Sequence, residues 1–538
     1  MRAPNQTHII DTDSKLVQLL RELGNERPLR RLLYLYFQTY DHIEVQQFDR
    51  WPDREITEEE RARRRPSRTA TRLLVYGFKG SRRRSLASIM LRPRDEPYPP
   101  RLGDVYASVQ EALDPERIFL KCSTRSQVQW LGRPRKKSRP SKIICFPFIQ
   151  KHHEESWMCA HAAVRMIGEW LRQTDHPICK GLERRHWTFP AIDRALGKDF
   201  PHPGLTAAEM KNAIEGMGFH VLDYNYEENP RPNYPADSIV YSYMESGIPV
   251  LVLFGLRPKR QEDAMAGHVV AVIGHTFERH AWWPEAERRY YAKLFENQPG
   301  FLKSTAWMDF LIHDDNYGPY LVMPKDFLRA GSVPPTQDAA NQNTLPHAAS
   351  GQLWRILVPF REGLLRSQLA EAIAFQALHD PKIKLLYDDY LDKQKVKSFW
   401  PEEFQRRRDD GRIVMRTWLV SRMELLKICE KRGPQLLHWW CKGKSTNLPK
   451  IQDLVWITEF TSPDLFASGG GILGHVVVDA KAQVQSADDF PQALQYVHLA
   501  GGFHLWSSPD GSKWMSKQPQ EELSPCLTWR TREVSPTR

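Results

Sequence analysis

Residues 150–170 read Q-K-H-H-E-E-S-W-M-C-A-H-A-A-V-R-M-I-G-E-W. Ala163, Met166, Ile167, Trp170 and Leu171 recur at steps of three and four, so the segment predicts an amphipathic helix with one apolar face. The polar run 151–156 ahead of it reads as loop, which sets Cys159 where the helix begins. A thiol at a helix N-terminus faces unpaired backbone N–H groups and the positive end of the macrodipole. Both favour thiolate over thiol, as a nucleophile requires. Taken alone, such a cysteine reads equally as a small buried residue.

The surrounding residues add to the first reading. Gln150 carries a side-chain amide of the kind that completes an oxyanion hole with a cysteine N–H. Downstream, His268 opens the Val-rich stretch G-H-V-V-A-V-I-G, and F-L-I-H-D-D-N-Y-G-P-Y ends an apolar run in two acids. The order Gln, Cys, His, Asp is that of papain-like cysteine hydrolases, whose partners meet in space rather than in sequence.

The stretch resembles the C39-like branch of the papain-like cysteine peptidase superfamily, over about residues 143–330. The resemblance implies Gln150 as oxyanion donor, Cys159 as nucleophile before A-H-A-A, and His268 as general base. It implies Asp314 as the orienting acid, at the family's N-D-P-x-x-G position, with Asp315 second. The segments 204–219 and 243–254 also look like that family. Two features depart from its pattern: the interval from Gln150 to Cys159 is long, and Ala160 stands where the family carries Gly or Trp. The implied activity is a cysteine peptidase acting on a protein or peptide substrate, without metal or other cofactor. Isopeptidase or acyl-transfer chemistry at the same site, and an inactive papain-like binding or sensor protein, are the alternatives.

At 538 residues the chain is long enough for several domains. The fold class expected is α+β. A papain-like domain at 143–330 is flanked by a small α+β domain at 1–132, ending in a basic linker at 133–142. A second linker at 331–350 leads to a C-terminal α+β domain at 351–506 and a polar tail at 507–538. Within the first region, 71–78 and 85–92 read as a hairpin, and 116–122 as a strand. Aromatic, charged residues at 280–295 suggest a helix, either an ordinary packed one or one that would cap the site as a lid.

Charged residues at 26% and hydrophobic ones at 41% fit a globular chain, and no apolar run approaches the ~18 residues a membrane span needs, so no membrane partner is expected. No secretory signal is visible, and seven cysteines without C-x-x-C pairs fit a reducing compartment, so a cytoplasmic location is expected. The net charge of +11 is concentrated in basic clusters at 61–68, 81–85 and 133–142. These read as solvated surface, with an acidic or nucleic-acid partner as the alternative.

Two other constellations compete. G-H-V-V-V-D at Gly474 echoes the His268 motif, but no helix-start cysteine precedes it, so His475 reads as a strand histidine with hydrogen-bond partners. His152, His153, Cys159 and His161 lack the second ligand pair of a structural zinc site, so no metal is assigned.

Overall fold

The computed structural model describes residues 4–23, 33–34, 37, 40–52, 69–93, 102–105, 118–122, 124–126, 143–149, 158–198, 204–227, 235–256, 266–277, 291–292, 294, 299–315, 318–323, 325–328, 351–395, 399–425, 452–468, 471–507 and 513–516. Helices and largely antiparallel sheets are mixed, as an α+β chain requires. The chain forms two compact units whose segments interleave. Residues 1–231, 247–276 and 310–361 make the first, and 232–246, 277–309 and 362–538 the second.

The first unit holds two large sheets. One runs Gln6–Ile10, His42–Pro52, Thr69–Lys79, Arg82–Pro93, Leu102–Val105, Phe148–Ile149 in spatial order. The hairpin expected near 71–92 is the Thr69–Lys79 and Arg82–Pro93 pair, turning at Gly80 with φ 56°. The second sheet runs His220–Asn225, Gly351–Phe360, Val250–Leu256, Ala266–Thr276, Phe310–Asp314, Gly318–Met323, and Ile118–Leu120 also pairs with Ala266–Thr276. Its central strands read as near-continuous apolar runs because both of their faces are buried. Gly351–Phe360 pairs with both His220–Asn225 and Val250–Leu256, so this downstream strand completes the sheet that carries His268.

Helix Cys159–Gln173 packs on the His268 strand. The periodicity predicts one apolar face, yet every residue from Ala160 to Leu171 is buried. The polar face is covered as well because its side chains find partners. His161 Nε2 lies 2.7 Å from Asp193 Oδ1, Arg165 sits over the Phe189 ring, and Glu169 pairs with Arg172 and His186. Burial would raise the Glu169 carboxyl, but His186, Arg172 and Arg165 together hold it well below the usual range.

The second unit is built on an eight-stranded sheet. Its order is Tyr291–Ala292, Phe301–Lys303, Val414–Ser421, Leu454–Thr461, Gly474–Asp479, Leu494–Leu499, Phe503–Ser507, Lys513–Ser516, with one parallel pair between the second and third. Tyr291 and Ala292, expected in a lid helix, are strand; residues 280–290 of that stretch lie outside the described residues. Helix Ser367–His379 lies against this sheet, and Glu371 accepts a hydrogen bond from Thr417 Oγ1 at 3.1 Å.

Across five adjacent strands Arg416, Glu459, His475, His498 and His504 stand opposite one another in register, which puts them on one face. Thr417 and its register partners Thr458 and Val476 alternate with that row, so helix Ser367–His379 covers the other face. His475 therefore points away from the helix that would have to supply a nucleophile. The echo of the G-H-V-V motif does not place its histidine at a helix start. His475 is buried, and neither ring nitrogen has a hydrogen-bond partner, contrary to the expectation of a satisfied strand histidine.

Candidate functional site

Three elements of the first unit converge on one point. Cys159 is the first residue of helix Cys159–Gln173, with Met158 as the N-cap and no side-chain cap on the terminal N–H groups. A cap-less N-terminus leaves those donors for an anion at the cysteine. Cys159 is part-exposed, whereas Cys122 and Cys179 are buried. Burial pushes the Cys179 thiol up to about 12, which makes it inert.

His268 is held in strand Ala266–Thr276 opposite Phe254, and Asp314 ends strand Phe310–Asp314. The His268 Nε2 to Asp314 Oδ2 distance is 3.1 Å, with both groups buried. Burial alone would lower the imidazole pKa. The Asp314 carboxylate, and after it a side-chain hydrogen bond with Cys159, outweigh burial and raise it well above its ordinary value. With Nε2 engaged by Asp314, Nδ1 is the nitrogen that remains for the thiol.

The sequence placed Cys159, His268 and Asp314 as partners, and the fold brings them together. Asp315 is buried beside them, and one ligand atom from each of His268, Asp314 and Asp315 fits within 4.8 Å. That trio could receive a cation, and it is the same site rather than a separate one. Gln150, expected as oxyanion donor, lies outside the described residues, as do His152 and His153. His275 donates from Nδ1 to Thr276 O at 2.6 Å. His313 donates to Pro147 O at 3.3 Å between the Phe146 and Phe148 rings, where burial lowers it to about 3. It is a core histidine.

A cleft of about 630 Å³ opens at Cys159 and His268, lined also by Leu205, Met210, Leu253, Val269 and Trp354. Its upper wall is the start of helix Ala207–Glu215, where Thr206 and Glu209 form a reciprocal capping box. The sequence reading missed Trp354. No motif marks it, because the strand that carries it follows what reads as a linker.

No helix among the described residues is long and apolar enough to cross a membrane. No family model matches the chain, and no curated protein matches it either. Among solved structures, the chain is similar to the crystal structure of UfSP from C. elegans at 12% identity and a TM-score of 0.22. That match covers 40% of this chain and 33% of the other.

Proposed function

We propose that the chain is a cysteine-dependent hydrolase of papain-like type, and in the first instance a peptidase, with its site in the region 143–330. The observation that supports this reading is the double engagement of His268, by Asp314 on one nitrogen and by Cys159. A buried imidazole made more basic takes the thiol proton and remains as imidazolium beside the thiolate. Asp314 fixes the tautomer and ring orientation and supports the positive charge.

The thiolate attacks the acyl carbon of an amide. The Cys159 N–H at the uncapped helix end, with Gln150 as the second donor, holds the oxyanion. The imidazolium proton passes to the departing amine as the C–N bond breaks. His268 then draws a proton from water, which releases the acid and restores the thiol. A protein or peptide substrate and a cytoplasmic setting belong to the same reading.

Alkylation by iodoacetamide, mapped by mass spectrometry across pH in wild type and His268→Ala, tests it. Labelling of Cys159 that persists well below the free-thiol pKa of about 8.5 and collapses without His268 is expected. Labelling no faster than that of other accessible thiols in both proteins would refute it.

A further inference from the structure

Trp354 occupies an unusual place in its strand. Leu253 pairs with Arg355 and Phe254 pairs with Leu353, so Trp354 is the extra residue of a β-bulge and has no partner on strand Val250–Leu256. A bulge re-aims side chains, and here two consecutive residues, Trp354 and Arg355, both line the cleft. The Trp354 carbonyl accepts the Tyr226 N–H at 2.8 Å, which pins the bulge on its other side.

The indole lies on a surface kept bare for it. Gly267 stands opposite Gly255 in the register, and a Cβ on residue 267 would lie 2.9 Å from Trp354 Cζ3. Residue 267 directly precedes His268. The ring, Cys159 and His268 line one cleft, in which Leu253 and Val269 share a register row.

The charged residues of the cleft are already matched. Lys198 pairs with Glu209, and Arg355 pairs with Asp223 at 3.0 Å and Glu227 at 3.4 Å. Hydrogen bonding from Lys198 and the Thr206 backbone holds the Glu209 carboxyl down at about 2. An anionic substrate group would have to break one of these pairs or lie against the negative face of the indole, and either is unfavourable.

Resting on the hydrolase reading, we infer that Trp354 is a specificity-determining residue that seats an aromatic or large aliphatic side chain next to the scissile amide. The substrate class is thus a peptide with an uncharged, apolar residue beside the cut. A flat side chain gains both area and ring–ring contact on the indole.

The test uses the full chain with Cys159→Ala, which binds without turnover, and a positional-scanning library of fluorescein-labelled hexapeptides read by anisotropy. One position is expected to select Phe, Tyr, Trp and Leu over Asp and Glu. Adding Trp354→Ala should weaken the aromatic peptides by about tenfold or more, and Trp354→Phe should restore them. Melting curves of each variant separate this loss from unfolding. Selection of a charged residue, no selection, or an unchanged profile in folded Trp354→Ala overturns the inference. The iodoacetamide profile separates the two readings. An ion-paired Cys159 without apolar selection sinks the Trp354 assignment alone, whereas apolar selection with an unreactive Cys159 sinks the hydrolase and leaves a peptide-binding cleft.

Discussion

His268 Nε2 and Asp314 Oδ2 lie 3.1 Å apart although 46 residues separate them in the chain. Their strands meet through the pairing of Ala271 with His313 and Val272 with Ile312, and the carboxylate follows one residue beyond. Removing it should return control of the imidazole to burial, which lowers its pKa. Asp314→Asn is expected to cut turnover by roughly 10²–10⁴. It should also slow Cys159 alkylation near pH 6, because less imidazolium remains to support the thiolate. Alkylation unchanged at pH 6 would assign Asp314 a structural role only.

Stability toward acid should depend on the second unit's histidines. Burial lowers His475 to about 3 and His504 to about 4, and holds His498 well below its ordinary value, with His504 adding repulsion to both His475 and His498. The row they share also carries the Arg416–Glu459 pair, and Tyr496 hydrogen-bonds His504 at 2.5 Å. These bases stay neutral when folded and take protons when unfolded, so stability falls as pH drops from about 6.5 toward 3–4. His475→Leu, which removes an imidazole without hydrogen-bond partners, should leave neutral-pH stability nearly unchanged and move the acid transition lower. Circular-dichroism melts from pH 7 to 3 read this directly, and an unmoved transition would exclude His475 from it.

Glu371 has the opposite sign. Burial raises its carboxyl to about 7, against opposing effects from Thr417 and Lys303. The folded state keeps a proton that the unfolded chain releases near 4.5, so this contribution is complete below 4.5 and fades as pH rises toward 7. Glu371→Gln should flatten the stability profile in that window, measured by urea unfolding at pH 5 and pH 7.

The buried His161–Asp193 pair anchors the helix two residues past Cys159. Asp193→Ala strands the imidazole without that partner and should cost about 1–3 kcal/mol. A urea midpoint equal to wild type would show that the pair contributes nothing.

Gly168 sits in the middle of the same helix, where glycine is otherwise unfavourable. A Cβ there would meet Trp187 Cβ at 2.9 Å and Cδ1 at 3.0 Å. Gly168→Ala is therefore expected to destabilise by about 1–3 kcal/mol through overpacking, despite alanine's better helix propensity. A raised melting temperature would show that Trp187 can move aside.

The legible part of the site was the part written locally. A polar run before three- and four-residue apolar steps marks the start of the helix at Cys159, and Gly267–His268 before a Val-rich run marks the strand. The Asp314 assignment depended on a family resemblance; in the structure that residue ends strand Phe310–Asp314, 3.1 Å from His268 Nε2. Trp354 escaped because Ile356, Leu357 and Val358 are all buried, so both faces of its strand are apolar and alternation carries no phase to reveal a bulge. The echo at His475 misled in a similar way. So short a motif does not say which face a helix will cover, and that is decided by Ser367–His379 packing on the Thr417 side.

Strand Gly351–Phe360 lies between His220–Asn225 and Val250–Leu256 in the sheet that holds His268. During synthesis the thiol, the imidazole and the carboxylate all leave the ribosome before this strand does. Chains fold as cooperative units once their long-range pairings can close. The nascent polypeptide therefore carries these groups before the strand that completes their sheet and supplies Trp354. The complete cleft can form only after residues 351–360 have been synthesised.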